Sequence, residues 1–180
     1  MCLILAAWRS HPDYPLVVAA NRDEFFNRPT AAADFWPGTH ILAGRDLKEG
    51  GTWMGITRGG RFAALTNYRD PALVKEGKAS RGHLVADFLS TRKAPMAWLA
   101  ELATRCDDYN PFNILVGDPD GLACLESTTG AVRLLEPGVY GLSNHLLDSP
   151  WPKVVAAKSA LSDALTALPD DHQLLSLLRN

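Results

Sequence analysis

The chain has 180 residues, 47% of them apolar and 21% charged, which suits one globular domain whose core needs no disulfide or metal staple. A formal net charge of −2 with dispersed acidic and basic residues excludes a nucleic-acid surface, which depends on clustered Lys and Arg. Cys2, Cys106 and Cys124 form no CxxC pair and the five histidines no HExxH pair, so neither a metal nor a cofactor is expected.

No stretch approaches a membrane span, and Cys2–Trp8 lacks the length and basic flank of a secretory signal. The chain therefore reads as a reduced, cytoplasmic protein. Cys2–Trp8 is a short apolar run, the pattern of a strand buried on both faces; residues 10–15 turn, and Leu16–Ala20 is a second such strand. An irregular stretch follows Glu24, with a short strand near Ile41–Gly44. Residues 52–56 and 61–67 flank Gly59-Gly60 as a hairpin. Residues 68–80 read as a polar loop, and helices are predicted near 81–92 and 94–105. Strands follow at Asn113–Gly117, Leu122–Glu126, Ala131–Leu135 and Val139–Asn144. Ser149 is placed as the N-cap of a helix over about 150–167, and Asp170-Asp171 open a last helix whose apolar pattern still runs where the chain ends. Grouped strands and grouped helices indicate α+β with largely antiparallel sheet.

The chemistry concentrates at the start of the chain. A cysteine after the initiator methionine becomes N-terminal once Met1 is removed, which joins a thiol and an α-amine in one residue. An unperturbed α-amine titrates at about 7.7–8.0 and can take the thiol proton without a histidine. Pairing residues 2–9 with 16–23 sets Cys2 opposite Asp23, with Arg22 and Glu24 adjacent; pairing across Gly59-Gly60 sets Thr52 opposite Asn67. Polar groups thus collect at the strand ends away from the turns. Each residue also has an ordinary reading. Cys2 is a small apolar side chain in an apolar strand, residues 21–24 suit a turn with a surface ion pair, and Asn67, Asn113 and Asn144 suit strand-end amides. Cys106 and Cys124 read as core.

Met1-Cys2, Ala20-Asn21-Arg22-Asp23-Glu24-Phe25, Arg28-Pro29, Ala43-Gly44-Arg45-Asp46, Gly50-Gly51-Thr52-Trp53-Met54-Gly55, Ala64-Leu65-Thr66-Asn67-Tyr68, Phe112-Asn113 and Tyr140-Gly141-Leu142-Ser143-Asn144 occur in that order. Together they resemble the NRDE family, also called the transport-and-Golgi-organisation protein 2 family. More distantly the chain is similar to cysteine N-terminal nucleophile hydrolases such as penicillin V acylases and bile salt hydrolases. That resemblance implies an αββα four-layer sandwich, two largely antiparallel sheets between helix layers, in a single domain over residues 1–180. Family members continue with further strands, so it also implies that these C-terminal strands are absent here.

The resemblance further implies a catalytic set. Cys2 is the nucleophile with its own amine as base, Asp23 orients the amine, Arg22 lowers the thiol pKa, and Asn67 and Asn144 supply the oxyanion hole. The hydrolases space their arginine and aspartate differently, which leaves Glu24 as an alternative acid. Asn21, Glu24, Phe25, Trp53 and Tyr68 are the substrate-binding candidates, with Trp36 a further pocket wall. The expected activity is cleavage of a non-peptide C–N bond in a small-molecule amide or lipid-like ligand. The alternative is a non-catalytic binding or trafficking protein that holds a lipid-like or haem-like ligand, for which Cys2, His11, His40, His83 and His145 are ligand candidates without ligand-like spacing. The oligomeric state is left open by the sequence.

Overall fold

The computed structural model describes residues 2–25 and 27–179; Met1, whose removal frees the Cys2 amine, lies outside them. The chain divides into two compact units, one formed by residues 1–23 and 135–180, the other by residues 24–134. Both are mixed α+β with an antiparallel sheet, so the expected fold class is the one observed.

The first unit joins the two ends of the chain. Strand β1 (Leu3–Trp8) is its centre, flanked by β2 (Leu16–Asn21) and β10 (Gly138–Leu142). Ile4 to Trp8 are all buried, which explains an unbroken apolar run where a half-exposed strand would alternate. Helix α3 (Pro152–Leu165) packs on β1 and β10, bringing Leu161 and Leu165 onto Leu5, Ala7 and Val17. Burying each such leucine contributes about 2 kcal/mol. Helix α4 (His172–Leu177) packs on α3 and β2, with Leu174 and Leu177 against the same core.

The β1–β2 register differs from the expected one by a single residue: Leu3 pairs with Asn21 and Trp8 with Leu16. The cause is Arg9, whose φ of 47° ends the strand one residue early while its amide closes the turn on the Pro15 carbonyl at 2.7 Å. Helix α3 likewise starts later than expected. Its N-cap is Trp151 and Pro152 takes the first turn, where the missing N–H is harmless; Ser149 does not cap it.

The second unit carries a seven-stranded meander: β3 (Thr30–Phe35), β4 (Ile41–Asp46), β5 (Met54–Thr57), β6 (Phe62–Asn67), β7 (Phe112–Gly117), β8 (Leu122–Glu126) and β9 (Ala131–Leu134). Helices α1 (Gly82–Ser90) and α2 (Pro95–Ala103) fall between β6 and β7; α1 covers β4 to β6 and α2 covers β8 and β9. Leu84, Phe88, Leu99, Phe112, Ile114 and Leu125 fill the layer between helices and sheet.

Strand β3 lies in the stretch expected to be irregular. Every residue of it is exposed, and a register shift interrupts its pairing with β4, so no alternation of burial marks it in the sequence. The β5–β6 hairpin is present with Ile56 opposite Phe62, again one residue from the expected register. Its loop holds three residues, with Gly60 at φ +79°, instead of the two assumed. The start of α1 meets the chain before β5 backbone to backbone. Thr52 N–H donates to the Gly82 carbonyl at 3.1 Å, and a Cβ on Gly51 would stand 2.5 Å from the Gly82 carbonyl carbon.

Candidate functional site

In the first unit three strand ends meet around Cys2. Antiparallel pairing of Leu3 with Asn21 and of Ile4 with Leu142 delivers the residues after β2 and after β10 to the residue before β1. Asp23 N–H donates to the Cys2 Sγ at 3.4 Å, and the thiol in turn lies 3.8 Å from the Asp23 carbonyl. The residue expected opposite Cys2 therefore does reach it, through its main chain, although the ladder register is shifted.

The Cys2 carbonyl accepts a 2.7 Å bond from the Ser143 hydroxyl. Ser143 is 2% exposed and its neighbour Asn144 9%, so both are buried polar groups at the end of β10. Sequence reasoning missed Ser143. Its signal in the sequence is its place directly before Asn144, at the end of a strand.

Arg22 is half-buried and Asp23 exposed in the segment after β2. Asn21, expected to bind substrate, uses its side-chain amide to donate to the Leu178 carbonyl at 2.8 Å, which ties the segment after α4 to the end of β2. Past Asn144, the His145 Nδ1 lies 2.7 Å from the Ser149 hydroxyl, which donates to the Leu146 carbonyl at 2.8 Å.

The other expected site residues belong to the second unit. The Glu24 carboxylate accepts from the Phe25 amide at 3.0 Å and lies 3.8 Å from the Arg28 guanidinium. Arg28 donates to Asp46 from Nε at 2.8 Å and from its terminal nitrogen at 2.5 Å. Burial pushes the Asp46 carboxyl up, but Arg28 and the Lys48 and Glu49 amides together outweigh it and hold the acid below the usual carboxylate range. Phe25 is 81% exposed. Trp36, the further wall candidate, packs on the core and donates its indole N–H to the Ala43 carbonyl at 3.2 Å.

Trp53 is half-buried just before β5, and Asn67 is the exposed last residue of β6, opposite Phe112. Tyr68 is half-buried, its amide donating to the Pro111 carbonyl at 3.0 Å. Beside them runs a row of buried polar side chains, of which the sequence singled out Asn113, as a strand-end amide, but not Thr66 or Glu126. Thr66 pairs with Asn113 and Asn113 with Glu126 across three strands, and Glu126 accepts a 2.8 Å bond from Arg133. All three occupy the alternate positions to the residues that pack under the helices.

The three cysteines form no disulfide. Cys124 is wholly buried, and the half-buried Cys106 thiol is pushed up by burial with Asp107 adding to it, so neither suits a nucleophile. Among the described residues no group of three His, Cys, Asp or Glu side chains is placed to hold a metal ion. No described helix is long and apolar enough to cross a membrane.

Two antiparallel sheets bearing helices, with a cysteine at the head of a central strand, give the fold of the N-terminal nucleophile hydrolases. A solved neighbour is the Caenorhabditis elegans N-acylethanolamine-hydrolyzing acid amidase ortholog, with a TM-score of 0.57 over 99% of this chain and 86% of that one at 13% identity. The sequence places the chain more narrowly. Residues 1–179 match the family Transport and Golgi organisation 2, and the chain belongs to that family. The human Transport and Golgi organization protein 2 homolog is 40% identical over 195 residues, covering 99% of this chain and 70% of its own length. The Drosophila melanogaster Transport and Golgi organization protein 2 is 30% identical over 206 residues, covering all of this chain and 72% of its own.

Proposed function

We propose that the protein is a cysteine N-terminal nucleophile hydrolase acting on a non-peptide amide in a reduced, cytoplasmic setting. The observation that carries this reading is the seating of Cys2, whose sulfur receives the Asp23 amide at 3.4 Å while its carbonyl is held by Ser143 at 2.7 Å. An N-terminal residue ordinarily frays, and one held at both main chain and side chain is preorganised for chemistry.

With Met1 removed, the Cys2 α-amine takes the thiol proton and the thiolate attacks the amide carbonyl. The Asn144 side-chain amide is the proposed donor to the oxyanion. As the C–N bond breaks, the ammonium returns its proton to the departing amine, leaving an acyl thioester on sulfur. Water, deprotonated by the same amine, attacks the thioester, releases the carboxylic acid and restores the thiol. The fold neighbour is described as hydrolysing N-acylethanolamines, in which an acyl group is joined to nitrogen, and this suggests a panel of N-acyl amines as first substrates.

The test combines intact mass, thiol alkylation and turnover of that panel. Expected are a chain lacking Met1, Cys2 alkylated faster than Cys106 and Cys124, and release of acid that Cys2→Ala abolishes. A retained Met1 overturns the mechanism, since the base is then an amide nitrogen. Tight haem or lipid binding with no turnover by the Met1-free chain also overturns it, and assigns the protein to the binding alternative.

A further inference from the structure

The arginines of the second unit divide by how their charge is met. Arg28 pairs with Asp46, Arg61 with Asp118, Arg105 with Asp108 and Arg133 with Glu126. Arg45 and Arg58 lie over the rings of Trp36 and Phe35. Arg81 differs. It is half-buried, its guanidinium donates to the Pro111 carbonyl at 3.0 Å, and among the described residues no carboxylate lies within ion-pair distance of it.

We propose that Arg81 anchors an anion-binding subsite in the second unit, made for the carboxylate or phosphate group of a ligand. A guanidinium has five N–H donors in a planar fork, and one carbonyl engages only part of it. The remaining donors match two oxygens of a carboxylate or phosphate, the partners for which that fork is best shaped. Burial of Arg81 pushes its pKa down with no neighbouring charge opposing the effect. A charge removed from water without a counter-charge weakens the fold, which a ligand supplying that charge would offset.

Position agrees with use. The Pro111 carbonyl that holds Arg81 also accepts the Tyr68 amide, so the guanidinium stands at the end of β6 and β7 that carries Asn67 and Tyr68. The simpler role for Arg81 is a brace between the loop before α1 and Pro111. The two roles predict opposite signs for removal of the charge. A brace stabilises the unliganded protein; a held but uncompensated charge does not.

The inference goes beyond the hydrolase reading and is tested apart from it. The full chain is unfolded thermally in chloride, inorganic phosphate or acetate at matched ionic strength, as wild type, Arg81→Gln, Arg81→Lys and Cys2→Ala. Phosphate, acetate or both should raise the wild-type Tm above its chloride value, because an anion bound only by the native state stabilises it. A response to phosphate alone assigns a phosphate-bearing ligand, and one to acetate alone a carboxylate. Arg81→Gln carries an uncharged amide on a shorter side chain and should bind the anion at least about tenfold more weakly. In chloride that variant should unfold at or above the wild-type temperature. Arg81→Lys should respond more weakly than wild type, and Cys2→Ala should respond fully. No anion-dependent rise in wild type, a full rise in Arg81→Gln, or a lower Tm of Arg81→Gln in chloride would each overturn the proposal.

Discussion

Replacing Ser143 with alanine removes one hydroxyl and should loosen one residue. The hydroxyl is buried and donates to the Cys2 carbonyl at 2.7 Å. Its loss strands a carbonyl beside a buried position, which costs about 1–3 kcal/mol where water cannot replace the bond. Cys2 precedes β1, where opening can stay local, and its thiol also contacts the Asp23 main chain. Most of the loss should therefore appear as local opening of residue 2. Each 1.4 kcal/mol raises an open population tenfold, so Cys2 alkylation should quicken by about tenfold when opening and closing outpace the reagent. The assay follows alkylation of Cys2 and Cys106 in the same sample by peptide mass. Cys106 lies in the second unit and gives the reference rate, which should not change. Equal Cys2 rates in wild type and Ser143→Ala would refute the claim that this hydroxyl seats the nucleophile. So would equal acceleration of both thiols, which reports global destabilisation.

Gly51→Ala should destabilise the second unit by about 2–4 kcal/mol, because its Cβ meets the Gly82 backbone at 2.5 Å and the Thr52–Gly82 bond must lengthen. Gly59→Ala, whose Cβ meets nothing nearer than the Thr57 hydroxyl at 3.8 Å, should be near neutral in the same urea titrations. Because Asp46 is held below the usual carboxylate range, its stabilisation is complete above the unfolded-state pKa of about 4 and is lost as pH falls below that through the lowered native value. Asp46→Asn should therefore lose about 1–2 kcal/mol at pH 7 and show a shallower stability loss between pH 5 and about pH 2, measured by thermal unfolding against pH.

How far the sequence reached differs from element to element. Strand β1 was legible because burial on both faces leaves an unbroken apolar run, and β6 to β8 because turn residues bracket them. Strand β3 was not, since an exposed edge strand has no buried face to impose alternation. Both hairpin registers slipped by one residue for local reasons, Arg9 adopting a left-handed conformation and the Gly60 loop holding a third residue, which composition does not reveal. Proximity of Cys2 and Asp23 was legible because any register near that one brings the strand ends together. The Ser143 bond was not, because it depends on β10 pairing with β1 across more than a hundred residues. Buried Thr66 and Glu126 were hidden for the same reason, as each looks like an ordinary polar residue until neighbouring strands cover it.

The discontinuity of the first unit sets a schedule for biosynthesis. Residues 24–134 are contiguous and can fold as they leave the ribosome, whereas β1, made first, has to wait for β10 and α3 before its sheet and core exist. Cys2 is thus translated well before the strand and the hydroxyl that seat it. A nascent chain carries its thiol unseated until β10 and Ser143 have emerged, so any activity that depends on the seated cysteine waits for them.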